Sequence, residues 1–319
     1  MRRIALPAAL CFAITLTVSS TSMASAPAGT PLNISPVQVG QPVHIHGMSI
    51  SVPPKQMTIC GSAAGPGIMR SACVSNTGTR VLDVAPQQLT HTHEQSTHES
   101  RVEWNECRDT TYQTFGAWRS KTVRIRLNRS GVPRRLTNID STIREAASTL
   151  TRAKNDCGRA DKVNVRLRYA GSTHAASLVK EGRRNREATC TGQADGQNTI
   201  SFGRDMWTSE EQILGVTCFY LLNARSARNG TPQLAEADVM FNQLANWQDQ
   251  DLGDCSNRNS FALSNTAVHE FGHVLGLAHP SEDPSKHPSL TMGYGSVDYC
   301  DTYGLTLGSG DLNGLESLY

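Results

Sequence analysis

The chain has 319 residues, of which 38% are hydrophobic, with 30 basic against 28 acidic side chains and nine cysteines. That length allows one large domain, or a medium domain with a smaller companion, and the hydrophobic content supports a buried core. A formal net charge of +2 gives no electrostatic reason to expect nucleic acid or an acidic membrane surface as a partner.

Arg2 and Arg3 precede an apolar run from Ile4 to Val18, and small residues such as Ser22, Ala24 and Ala26 follow. This is the layout of a secretory signal peptide over residues 1–24, with an uncleaved interfacial anchor as the alternative. The run is too short to span a bilayer, and no later stretch reaches the required length. Removing the leader takes Arg2 and Arg3 with it and leaves 28 basic residues against 28 acidic. The expected destination is extracellular or periplasmic. Cys11 leaves with the leader, and Cys60, Cys73, Cys107, Cys157, Cys190, Cys218, Cys255 and Cys300 remain. An even number in an exported chain suggests four disulfides. The simplest pair is Cys60 with Cys73, closing "CGSAAGPGIMRSAC". No CxxC pair occurs, which argues against a cysteine zinc site.

Residues 25–100 are rich in Pro, Gly, Ser and Thr, with short apolar patches such as "PVHIHGMSISV". They read as a small β-rich region or pro-segment ending in "THTHEQSTHES". His91, His93 and His98 in that stretch read as part of a polar linker. The texture changes from residue 101, where a second domain is expected to run to 319. "RVEWNEC" and "KTVRIRLN" read as strands. In the latter, Val123, Ile125 and Leu127 alternate with Arg124 and Arg126, so a half-buried strand with a solvated face explains the basic run Arg119 to Arg135. "NIDSTIREAASTLTRAKNDCG" predicts a helix, with Asn138 or Asp140 as N-cap and Gly158 past its end. "KVNVRLRYAG", "NTISFG" and "EADVMFN" read as strands, and "SEEQILGVTCFYLL" is mixed. "SNTAVHEFGHVLGLAH" predicts a helix capped by Ser264 or Thr266, and "GSGDLNGLESLY" a closing helix capped by Ser309 or Asp311. The alternation predicts an α/β (α+β) fold on a mixed, twisted sheet.

The chemistry is concentrated in "HEFGHVLGLAH", from His269 to His279. Residues four apart share a helix face, so His269 and His273 can present two imidazoles to one ion. Gly276 can end the helix in the left-handed conformation and return His279 to the same place. Three nitrogens with an open fourth position is the pattern of catalytic rather than structural zinc. Glu270 points off the ligand face, where it suits a general base beside a water molecule.

HExxHxxGxxH followed by a methionine in "LTMGYG" resembles the metzincin zinc endopeptidases, and the likeness extends over residues 101–319. It implies His269, His273 and His279 as ligands of one zinc, Glu270 as base, and Met292 as an apolar floor. It also implies a peptide or protein substrate, pairing antiparallel with an edge strand containing Ala237 to Phe241. Element order resembles matrixins, whereas Pro280 and Tyr294 are more similar to serralysins or astacins, in which a tyrosine assists catalysis. The matrixin cysteine switch is absent, and Arg183, Arg184 and Arg186 stand where a second zinc loop would lie. Asp249, Asp251 and Asp254 offer oxygens of the type calcium takes, though a solvated loop is the simpler reading. The expected protein is a secreted, monomeric zinc endopeptidase. Its alternatives are a zinc-bearing binding or adhesion protein that no longer cleaves, and a zinc hydrolase of non-peptide amides.

Overall fold

In "TVRIRLN" Val123, Ile125 and Leu127 are buried and Arg124 is exposed, the pattern of a strand with one face in the core. This computed structural model describes residues 29–32, 34, 38–66, 68–84, 105–180, 189–190, 193–204, 206, 212–226, 231–248, 260–283, 285–298 and 304–319. The leader, His91 to His98, Arg183 to Arg186, Asp249 to Asp254, Cys255 and Cys300 lie outside the described residues.

The N-terminal region supplies β1 (Thr30–Pro31), β2 (Pro42–Ile45), β3 (Met48–Ser51), β4 (Met57–Gly65), β5 (Ile68–Asn76) and β6 (Val81–Val84). There follow β7 (Gln113–Thr114), β8 (Ala117–Trp118), β9 (Thr122–Asn128), α1 (Ile139–Thr151) and β10 (Arg166–Thr173). Next come β11 (Val179–Lys180), β12 (Thr189–Cys190), β13 (Asn198–Gly203), β14 (Gly215–Ser226) and β15 (Pro232–Asn242). The chain ends with β16 (Trp247–Gln248), β17 (Phe261–Ala262), α2 (Leu263–Val274), β18 (Leu277–Ala278), a 3-10 helix (Tyr294–Val297) and α3 (Ser309–Leu318).

The main sheet runs β1-β6-β5-β4-β14-β15-β13-β9-β10, with β8 also against β15. β10, β9, β13 and β15 are mutually parallel, whereas β14 is antiparallel to β15 and to β4. The expected mixed α/β architecture is therefore present. Helix α1 packs against β10 and α2, and the core between helices and sheet includes Ile125, Leu150, Phe219, Phe241, Phe271 and Leu315. A second core lies where Met48, Ile50, Ile59 and Val74 meet Leu178, Val216, Cys218 and Met240. The N-terminal strands are thus continuous with the main sheet, through one strand interface and a shared apolar layer.

Several expectations are corrected. The strand containing Ala237 to Phe241 is not an edge: β15 pairs with β14 on one side and with β13 on the other. Apolar patterning reports burial of a strand's faces but not which neighbours its backbone finds. Asn105 to Cys107 form a turn, with Arg108 N–H donating back to Asn105 O, rather than a strand. The N-cap of α2 is Ala262, upstream of Ser264 and Thr266, and that of α3 is Gly308. Asn138 does occupy the N-cap position of α1, without a side-chain cap bond. Cys60 and Cys73 are bonded as expected, and Cys107–Cys157 and Cys190–Cys218 are bonded as well.

Candidate metal centre

Helix α2 is buried on nearly all sides, so its histidines stand inside the protein rather than on a solvated face. His269 and His273 lie one turn apart and are 0% exposed. After Val274 the chain must reverse within two residues. Gly276 has φ +92°, and a Cβ there would stand 1.8 Å from the carbonyl oxygen of Gly116. Only glycine fits both the left-handed conformation and the close approach. Beyond it, β18 pairs with β7, and that pairing delivers His279 to the helix.

The three imidazoles converge through one kind of atom. Nε2 of His279 lies 3.1 Å from Nε2 of His269 and 3.1 Å from Nε2 of His273. The Nδ1 atoms of His269 and His273 face the carbonyl oxygens of Thr291 and Leu277, at 2.8 and 2.9 Å. A carbonyl only accepts, so each Nδ1 carries the hydrogen and each Nε2 presents a lone pair. Burial lowers the pKa of His269 to about 4 and holds those of His273 and His279 well below the usual value, so all three are neutral near pH 7. Converging nitrogen lone pairs repel unless a cation lies between them. The donor set therefore fits one divalent, nitrogen-preferring ion such as zinc.

A second cluster of metal-type residues, Glu106 with Cys107 and Cys157, offers no thiolate because the cysteines are disulfide-bonded.

Glu270 is 0% exposed and wedged between α2 and β14. Its Oε2 accepts from the Thr217 hydroxyl at 2.5 Å, while Oε1 is buried without a hydrogen-bond partner. Burial pushes its carboxyl up to about 8, and the Thr217 bond pulls in the opposite direction. Such a group exchanges a proton near neutral pH, the range in which a general base is effective.

Met292 is 2% exposed beneath the helix. A Cβ on Gly272 would stand 2.3 Å from its sulfur, so the glycine one residue before His273 leaves room for the methionine. The turn is fixed from the far end of the chain. Asp311 of α3 accepts from the backbone N–H groups of Thr291 and Met292, and from that of Gly308. Tyr294 opens the 3-10 helix and packs, half-buried, against the main core. His287 is tied through Nδ1 to buried Asp109 at 2.7 Å, which pins the segment between the third histidine and Met292.

Sequence reading missed Thr217, Asp311, Ser62 and Ser71. Asp311 had a signal, a capping aspartate, but nothing local shows that it also anchors a turn 20 residues earlier. Thr217 is 53 residues from Glu270, in a stretch whose own pattern is mixed. Ser62 and Ser71 come from the N-terminal hairpin: Ser62 Oγ lies 3.4 Å from Nε2 of His279 and Ser71 Oγ 3.5 Å from its Nδ1.

The matrixin model, Peptidase_M10, matches residues 84–319. The chain belongs to the matrixin family. A curated relative, matrix metalloproteinase-20 of Homo sapiens, is 44% identical over 61 residues, which is 19% of this chain and 11% of the human protein. The match thus spans about a tenth of that relative's length. The matrixin model begins where β6 ends, so strands β1 to β6 precede the family's part of the chain. For the matrixin part, helix α2, the turn at Gly276 and the buried Met292 form one continuous support around the three histidines.

Proposed function

We propose that this matrixin is an exported, zinc-dependent endopeptidase. The observation that carries the reading is the convergence of three neutral Nε2 atoms with a buried glutamate on the same helix turn. His269, His273 and His279 would hold the ion. Bound zinc supplies Lewis acidity, which makes water acidic near neutral pH and polarises a carbonyl group. Glu270 takes the proton of the attacking water and later passes it to the leaving amine, with Thr217 orienting the carboxylate. Met292 and Gly272 keep the helix and the turn at fixed separation. Tyr294 is the second polar group we assign to the reaction, as a hydrogen-bond donor to the carbonyl oxygen while charge develops on it. The substrate class is protein or peptide, and one chain holds the whole site, so a monomer suffices. Export is supported by the leader-like residues 1–24 and by three disulfides among the described residues. No helix of the described residues is long and apolar enough to cross a membrane.

Digestion of a peptide library by zinc-loaded protein, with and without a chelator, tests this reading. Internal cleavage that stops on chelation and returns with zinc is the expected result. Zinc bound without cleavage in any form of the chain would turn the reading to a binding protein.

A further inference from the structure

The far end of the main sheet, β9 and β10, carries a concentration of positive charge in a chain whose basic and acidic residues nearly balance. Arg124, Arg166 and Arg168 are exposed on one face of these strands, and Lys121 is exposed just before β9. Val123, Ile125, Leu167 and Tyr169 point the other way, into the core. The two strands are parallel, and Arg168 is the Cα partner of Arg124. Like charges directly opposite across a sheet repel each other. Elsewhere in this part of the chain arginines are neutralised, Arg129 by Asp140 and Arg159 by Glu316. Among the described residues, none of Lys121, Arg124, Arg166, Arg168 and the exposed Arg152 at the end of α1 is in an ion pair or donates a side-chain hydrogen bond.

The basic face opens into a cleft of about 700 Å³ whose lining includes Lys121, Thr122, Arg152, Asp161, Asn164 and Arg166. Asp161 is its one carboxylate, and Oδ1 of that group accepts from the Val163 N–H at 3.0 Å. Thr122 and Arg166 are Cα partners in the cleft, and Arg124 and Arg168 are the next pair along the same face, about 7 Å farther on.

We propose that this cleft and the Arg124–Arg168 face form a docking site for an acidic, extended peptide segment, separate from the metal centre. That the segment belongs to the substrate rests on the endopeptidase reading. Alternate side chains of an extended peptide recur about every 7 Å, the repeat that separates Arg166 from Arg168. Each guanidinium can take a carboxylate through two parallel hydrogen bonds. The outward residues Thr122, Arg124, Arg126, Arg166 and Arg168 include no aromatic ring, so the face lacks the stacking platform that single-stranded nucleic acid uses. In sheet order β10 stands four strands from β14, the strand beside Glu270, or about 19 Å. An acidic segment bound here is therefore at least about six extended residues from the bond that is cut.

The test uses the full zinc-loaded chain. A fluorescent peptide with glutamate at alternate positions is titrated in, beside the same peptide with glutamine at those positions, and anisotropy reports binding. The glutamate peptide should bind, more weakly as salt rises, and the glutamine peptide should not. The variant Arg124→Gln, Arg152→Gln, Arg166→Gln, Arg168→Gln changes only exposed side chains and should bind at least about tenfold more weakly at an unchanged melting temperature, the combined scale of four exposed charge pairs. A substrate with the acidic segment attached should show a KM about tenfold lower at unchanged kcat, a difference that disappears in the variant. Equal binding of the two peptides, or unchanged binding in the variant, would overturn the proposal. So would a sulfated polysaccharide or an oligonucleotide that binds this face when the glutamate peptide does not. Binding that follows the four arginines with no cleavage in any form of the chain leaves the docking site and removes the endopeptidase reading. Cleavage that ignores the acidic segment, without binding, removes the docking site alone.

Discussion

The Thr217 hydroxyl donates to Oε2 of Glu270 at 2.5 Å across 53 residues of sequence. It ties the proposed base to the strand that runs beside the metal centre. Replacing Glu270 with Gln should leave zinc bound, because the three histidines are untouched, and should lower turnover by about two orders of magnitude or more. Thr217→Val keeps the side chain's shape but removes the donor, so a smaller fall of roughly tenfold is expected at unchanged zinc content. Metal analysis and steady-state kinetics on both variants decide this. Near-normal activity in Glu270→Gln with full zinc would remove Glu270 from the mechanism.

Gly272 carries no Cβ where the sulfur of Met292 comes closest. Gly272→Ala must therefore displace a buried methionine or the helix between His269 and His273. A loss of about 1–3 kcal/mol of stability is expected from such overpacking, with weaker zinc retention. Thermal unfolding and competition with a chelator measure the two effects. An unchanged melting temperature and zinc affinity would show that the turn adapts freely.

Burial pushes Asp311 up to about 6, against three backbone N–H donors that favour its ionised form. Its folded pKa lies above the unfolded value of 3.8, so the native chain keeps a proton that the unfolded chain has released between roughly pH 4 and 6. Stability from this group is full below about pH 4 and is lost as pH rises through about 6. Asp311→Asn cannot titrate. The difference in unfolding free energy between wild type and Asn variant should change across that window and stay level from about pH 7 to 8. Asp311→Ala leaves all three donors without this acceptor and should cost several kcal/mol, at about 1–3 kcal/mol each. A difference between wild type and Asn variant that is constant with pH would show an ordinary carboxyl.

Tyr294 packs half-buried against the main core, a role that phenylalanine would preserve. Its proposed catalytic role needs the hydroxyl. If the hydroxyl stabilises charge mainly in the transition state, Tyr294→Phe should lower kcat by about one to two orders of magnitude, with KM and zinc content little changed. Full activity in the variant would leave Tyr294 as packing alone.

The sequence alone determined the candidate ligand set, because helical spacing is local: the four-residue step from His269 to His273 fixes a shared face, and a glycine at 276 fixes the reversal. The strand at Thr122–Asn128 and helix α1 were legible for the same reason, since each pattern is complete within one element. Cys60 with Cys73 was legible because the two close one short loop. Tertiary structure decided the rest. Strand pairing is chosen by backbone groups that every residue carries, so apolar patterning could mark Ala237 to Phe241 as buried but not as interior to the sheet. For the same reason nothing in "MTICGSAAG" announces that it lies along β14. Asp311, Thr217, Ser62 and Ser71 are ordinary polar residues in sequence. They gain meaning only because burial removes water and sets each against partners from a distant part of the chain.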